Sequence, residues 1–236
     1  MKVFVGTMEC GENDFDNCSK IIKEQENAHI CHFVVSNMSE HEAHQKLYSV
    51  WEQAKNTYEL FIKVDADTIL SHSNVISEHV KLFTNNPRLT GTQAWLHDYL
   101  TDSKIYGLSC IRNTVSFTKC TNHLYPDRVD GKHDIVLRGD QLPNSLNPAG
   151  VHCPNPSDKQ AFHYGVHRAL KNQTQIISKV YNCWKQYGDK KRALVLIGAK
   201  YSAKFVNNLE FNYTDEKFNK AFIEVMETYE NLVKCL

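Results

Sequence analysis

Hydrophobic and polar positions along the first 70 residues switch between two periods. Residues 2–5 form a short apolar run that closes on Gly6 and Thr7, and a loop continues through Gly11. Over 14–25 the apolar positions Phe15, Cys18, Ile21 and Ile22 recur at helical spacing, which predicts a helix. Residues 29–36 read as a second strand, closed by Asn37. Ser39 and Glu42 have the spacing of a capping box, and Ala43, Leu47, Val50 and Ala54 mark one face of the helix that follows. A third apolar run, Leu60, Phe61, Ile62 and Val64, occupies the middle of residues 58–70. The order β-α-β-α-β with short connections predicts an α/β fold, with a mostly parallel central sheet and helices on both faces. Farther on, the pattern predicts a helix over 73–83, strand-like stretches between 90 and 118, and a short strand at 133–137 inside the polar segment 123–155. Pro156 and Ser157 open another helix, and helical stretches follow near 173–187, 189–205 and 215–235. The last of these carries Phe218, Phe222, Val225, Tyr229 and Leu232 on one face.

The third run leads directly into Asp65-Ala66-Asp67. Carboxylates at the end of a buried strand are costly unless they are paired or hold a cation. In an extended segment, residues two apart point the same way, so both acids can address one ligand. Hard oxygen ligands with substrate phosphates suit a divalent cation such as magnesium or manganese. The tripeptide pattern also occurs at Asp14-Phe15-Asp16, where a helix begins and capping is the simpler reading. Open sheets of this kind bind ligands at the carboxyl ends of their strands, where Gly6-Thr7, Ser36-Asn37 and Asp65-Ala66-Asp67 all fall.

Composition narrows the classes. Lys and Arg total 27, as do Asp and Glu, so no net field recruits nucleic acid or an anionic membrane. Eight cysteines without a Cys-x-x-Cys pair point to reduced thiols rather than a zinc framework. The chain opens at once on strand-like MKVFVG, and no apolar run approaches the roughly 18 residues of a transmembrane helix. A cytoplasmic location, including the periphery of a membrane, is the expectation.

With VGTMECGE followed by SKIIKEQ, then HFVVSN, then KVDAD, the first 70 residues resemble the GT-A nucleotide-sugar glycosyltransferases, family 2 type. The usual acidic pair and Gly-Ser after the second strand are replaced by Ser36-Asn37-Met38-Ser39, which leaves the base open between UDP and GDP. The resemblance implies a Rossmann-like GT-A domain over 1–205, with a nucleotide-binding half over about 1–70 and an acceptor half over about 71–205. A C-terminal amphipathic helix (206–236) packs on it. It implies transfer of a sugar from a nucleoside-diphosphate sugar to an acceptor hydroxyl on a glycan or glycolipid, as in polysaccharide biosynthesis, with Mn2+ or Mg2+ as cofactor. By the same resemblance, Thr7 and Glu9 lie against the nucleoside and Asn37 faces the base. Asp65 reaches ribose or metal, and Asp67 is the direct metal ligand.

The second half offers VHCPNPSDKQ, residues 151–160. The family commonly takes a further metal ligand, often a histidine, from a late loop, and His152 is the candidate. Helix N-termini favour anions, which places Ser157, Asp158 and Lys159 near the phosphates. His163 and His167 are spaced i, i+4 but lack an acidic partner at zincin spacing. The long polar segment 123–155 reads as a lid. Within it Asp140 is the candidate general base for the acceptor hydroxyl, with Asp134 and Asp158 as rivals and Asp127 and Asp130 beside Arg128 in a turn. Two other functions share this pattern: a nucleotidyltransferase that makes sugar nucleotides, and a non-catalytic nucleotide-sugar binding module. The first normally carries a basic Gly-rich loop after the first strand, and residues 6–12 contain no Lys or Arg.

Overall fold

The computed structural model describes residues 1–117, 124–125, 133–206 and 215–236. Asp127, Arg128 and Asp130 lie outside the described residues. The alternating periods fold as β1 (Lys2–Glu9), α1 (Phe15–Lys23), β2 (His29–Ser36), α2 (Glu40–Ala54) and β3 (Leu60–Lys63). Strand β1 runs on to Glu9, past the apolar residues that announce it, because β2 pairs with it in parallel register from Lys2↔His29 to Glu9↔Ser36. The Ser39–Glu42 capping box is closed in both directions.

Alternation on these strands divides the packing between two faces. Val3 and Val5 of β1 with Leu60 and Ile62 of β3 pack against Cys18 and Ile22 of α1. Phe4 and Phe61 point the other way and meet Leu47 and Trp51 of α2. Trp51 stacks on Phe61 with ring centroids 5.3 Å apart. Helices on both faces therefore follow directly from the odd–even pattern.

Residues 58–70 do not form a single strand. After β3 the chain turns, with Thr68 N–H donating to the Asp65 carbonyl at 2.9 Å, and re-enters the sheet as β4 (Thr68–Leu70). Helix α3 (Val75–Asn85), β5 (Leu89–Asp98), β6 (Ser103–Arg112), β7 (Ile135–Arg138) and β8 (Gly150–His152) follow. Residues 115–117 are not a strand, and β8 lies in what the sequence presents as a polar segment. The sheet order is β2-β1-β3-β6-β5-β8-β4, with β7 also paired to β5. Strands β1, β2, β3, β5, β7 and β8 run one way, and among the described strands only β6 and β4 are reversed. This is the expected α/β class, a mostly parallel sheet with helices on both faces.

The remaining helices, α4 (Asp158–Leu170), α5 (Thr174–Tyr187), α6 (Lys190–Tyr201) and α7 (Glu216–Val233), share a second core. Helices α4 and α6 cross at backbone contact. A Cβ on Gly165 would lie 1.9 Å from the Val195 carbonyl oxygen, and one on Gly198 would lie 2.2 Å from that of Phe162. Gly165→Ala is expected to destabilise the chain by about 1–3 kcal/mol, since overpacking forces the backbones apart. A denaturant midpoint unchanged from wild type would contradict this. Helix α7 adds Phe218, Ala221 and Val225 to the same core. Among the described residues no helix is long and apolar enough to cross a membrane.

Candidate functional site

Asp67 sits in the turn between β3 and β4, and His152 ends β8, which pairs with both β4 and β5. The registers Thr68↔His152 and Asp98↔His152 carry three distant segments to one point at the carboxyl edge of the sheet. His152 Nδ1 lies 2.7 Å from Asp98 Oδ1, and its Nε2 lies 3.5 Å from Asp67 Oδ2. Asp98 is fully buried, and its other oxygen accepts from the Thr101 N–H (2.9 Å) and hydroxyl (2.5 Å). Arg192 of α6 grips the turn beyond it by donating to the Leu100 carbonyl at 3.0 Å and to the Tyr99 carbonyl. A carboxylate behind one ring nitrogen fixes the tautomer and aims the other nitrogen, as behind metal-binding histidines.

The electrostatics follow from burial and charge. Burial disfavours the imidazolium of His152, but Asp67 and Asp98 overcome it and raise the ring to about 9. Burial also pushes up the Asp67 carboxyl, with the negative Asp65 adding to it. Asp98 is held below its ordinary range, because His152 and Thr101 outweigh the cost of its burial. The neighbouring Cys153 thiol is raised by burial and by Asp67, so it stays protonated and offers no thiolate. The available donors are carboxylate oxygen and imidazole nitrogen, which suit Mn2+ or Mg2+. Neighbouring ligands of an octahedral ion with bonds of roughly 2.0–2.2 Å lie about 3 Å apart, close to the Asp67–His152 spacing. Among the described residues no three His, Cys, Asp or Glu side chains form a cation-holding cluster by themselves. Phosphate and water oxygens would therefore complete the shell.

Asp65 and Asp67 are not two positions of one extended segment, because the chain between them turns. Asp65 Oδ1 pairs with Lys63 Nζ at 2.6 Å, and against the effect of burial Lys63 and His152 keep its carboxyl below the ordinary range. Ala66 is buried in the turn. Thr7 is fully buried in β1 with its hydroxyl 3.0 Å from His32 Nε2, so it backs the carboxyl edge from within the sheet. Glu9 and Asn37 lie together at the ends of β1 and β2, joined by the Asn37 N–H to the Glu9 carbonyl at 3.0 Å. Asn37 is exposed and has φ +56°.

Helix α4 is tied to this edge. Asn155 N–H donates to Asp14 Oδ2 at 3.0 Å, Gln160 Nε2 donates to Asp67 Oδ2 at 2.8 Å, and His167 Nε2 lies 3.3 Å from Glu40 Oε2. Asp14, read as a cap, thus serves as a tie between the two halves. Ser157 is the N-cap of α4, accepting from Gln160 N–H at 3.0 Å, and Lys159 lies half-buried in the first turn. His163 packs edge-on against Phe218. Asp158 is engaged by Lys190 and Lys191 at 2.7 and 2.6 Å, and Asp134 by Arg88 at 2.9 Å. Asp140 stands exposed in a short 3-10 turn beside Trp95, accepting from Asn147 Nδ2 at 2.9 Å, which with Lys104 keeps it ionised. The partners of Asp140 are Asn147 and Lys104 rather than Asp67 or His152.

Three residues escape the sequence reading. Asp98 ends an alternating strand in an acid, the same signal that singles out Asp67. Gln160 has the capping-box spacing from Ser157 but reaches Asp67 instead. Glu12, in the β1–α1 loop, is raised to about 7 by burial, with Asp67 and Glu9 adding negative charge.

No family model matches the chain, and no curated protein matches it. Several solved structures share part of its layout. A STIV protein is 9% identical over 48% of this chain and 65% of its own, with a TM-score of 0.35. A glycosyltransferase involved in the glycosylation of the major capsid of PBCV-1 is 11% identical, with a TM-score of 0.34, over 48% of this chain and 60% of its own. The chain thus spans less than two thirds of either. The mannosyltransferase PcManGT from Pyrobaculum calidifontis, in complex with GDP-Man and Mn2+, is 12% identical over 99% of this chain and 82% of its own, with a TM-score of 0.41. Likenesses this distant carry no argument about function.

Proposed function

We propose that the chain is a metal-dependent glycosyltransferase that moves a sugar from a UDP- or GDP-sugar to a hydroxyl of a glycan or glycolipid. The observation that supports it is the Asp67–His152 pair, backed by Asp98 at the carboxyl edge of an open α/β sheet. A bound Mn2+ or Mg2+ would offset the charge that builds on the leaving diphosphate. Asp67 and His152 are the proposed ligands, and Asp65 turns toward the ribose side with Lys63 as its counter-ion. Glu9 and Asn37 bind the nucleoside across the ends of β1 and β2. Ser157 and Lys159, at the start of α4, face the phosphates. Asp67 and His152 are only 13% and 14% exposed, so a cation held by both would be largely shielded from bulk water. In this reading residues 1–70 hold the nucleotide and 71–205 the acceptor.

Asp140, ionised and facing solvent, is the proposed base. Asp140→Asn should lower transfer about 10²–10⁴-fold while donor binding is retained. A rate near wild type removes it from the mechanism. The activity itself is tested by incubating the protein with Mn2+ and a panel of nucleotide sugars. Slow release of free sugar is expected of a transferase. A binding module releases none, and a nucleotidyltransferase instead forms nucleotide sugar from sugar phosphate and nucleoside triphosphate.

A further inference from the structure

In the capping box that opens α2, Glu42 reaches back to the N–H of its own cap, Ser39. Ser157 and Gln160 have the same spacing at α4, but only half of the box forms. Ser157 accepts from the Gln160 N–H, while the Gln160 carboxamide leaves its local partner and donates from Nε2 to Asp67 Oδ2 at 2.8 Å. An ionised carboxylate only accepts, so the amide nitrogen must face it and the amide oxygen must point elsewhere. That oxygen is buried and has no hydrogen-bond partner, on a residue only 5% exposed. A buried carbonyl left unpaired is unfavourable, and such groups persist where a ligand or water supplies the missing donor.

We infer that Gln160 is a positioning residue for the cation held by Asp67 and His152. Its nitrogen fixes the direction of Asp67 Oδ2, and its carbonyl oxygen accepts a hydrogen bond from a water molecule on the cation. This rests on the metal reading of Asp67. A purely structural tie between α4 and the β3–β4 turn would account for the nitrogen but not for the unpaired oxygen.

The test is Mn2+ binding to the nucleotide-free protein, followed by the spectroscopic signal of free Mn2+, with the metal-free melting temperature measured in parallel. Gln160→Met, which keeps length and packing, should weaken Mn2+ about 10–100-fold. Gln160→Glu should bind Mn2+ more tightly than wild type, because a second carboxylate then faces the cation beside Asp67. Its metal-free form should melt lower, since the two acids repel. If both variants melt lower but bind Mn2+ as wild type does, Gln160 is a structural tie only and the inference is overturned. If Asp67→Asn binds Mn2+ as tightly as wild type, the metal reading itself fails and the role of Gln160 goes with it. If Asp67→Asn loses Mn2+ while Gln160→Met retains it, the metal reading stands and only the Gln160 role is lost. Should Gln160→Met not fold, Gln160→Glu decides alone: a larger Mn2+-induced rise in melting temperature than wild type supports the inference, and an equal or smaller rise overturns it.

Discussion

Asp67→Ala is expected to lose Mn2+-dependent binding of a nucleoside diphosphate by at least about 100-fold, the upper end of what losing a residue behind a metal ligand costs. Asp67 is the carboxylate that faces His152 Nε2 and receives the Gln160 amide, and it is nearly shut off from water. Burial and the charge of Asp65 disfavour the ionised form of a carboxylate confined in this way, and a divalent cation bound to it would favour that form. The loss should be confined to the metal-dependent part of binding, so titration without Mn2+ should leave wild type and variant alike. Calorimetric titration with and without Mn2+ reads both quantities. Equal affinity of the two proteins in Mn2+ would end the metal assignment. Asp65→Ala should have the smaller effect, because Lys63 already neutralises Asp65.

The second large effect is with pH. Without metal, His152 keeps its proton up to about 9, held by Asp67 and Asp98. A histidine must give up that proton to bind a metal, so each cation bound releases one proton. From about pH 6.5 to 9, Mn2+ affinity should rise about tenfold per unit and then level off. The metal-free protein responds in the opposite sense. Because the folded pKa lies above the ordinary value of roughly 6.5, the stabilisation from charged His152 is fully present below that value. It is lost as the pH rises through about 9. His152→Gln should flatten both profiles and bind Mn2+ weakly at every pH. A wild-type affinity that does not change between pH 6.5 and 9 would exclude His152 as a ligand.

Much of the fold is legible in local periods. Strand β2 begins and ends where its apolar run does, and the Ser39–Glu42 box opens α2 where the spacing places it. The division of Val3 and Val5 from Phe4 across the sheet follows from the period of two alone. Asp67 is legible too, as an acid following a buried strand. Strand β8 is not, since Gly150, Val151 and His152 make too short a run to stand out from a segment rich in Pro, Gly and Asn. Nor is the turn that carries Asp65 and Asp67, or the pairing of Asp65 with Lys63, which the apolar residues on either side conceal.

The sequence by itself determined the α/β order, the two-sided packing and one carboxylate at the carboxyl edge of the sheet. The tertiary structure alone decided what that carboxylate meets. His152 and Gln160 reach Asp67 from 85 and 93 positions away, and Asp98, 31 positions away, stands behind His152, through the pairing of β8 with β4 and β5 and the placement of α4 across the edge. Local periodicity records which face a side chain takes. Which distant strand lies beside it is set by register and by the burial that all the strands and helices achieve together, and no stretch of neighbouring residues encodes that.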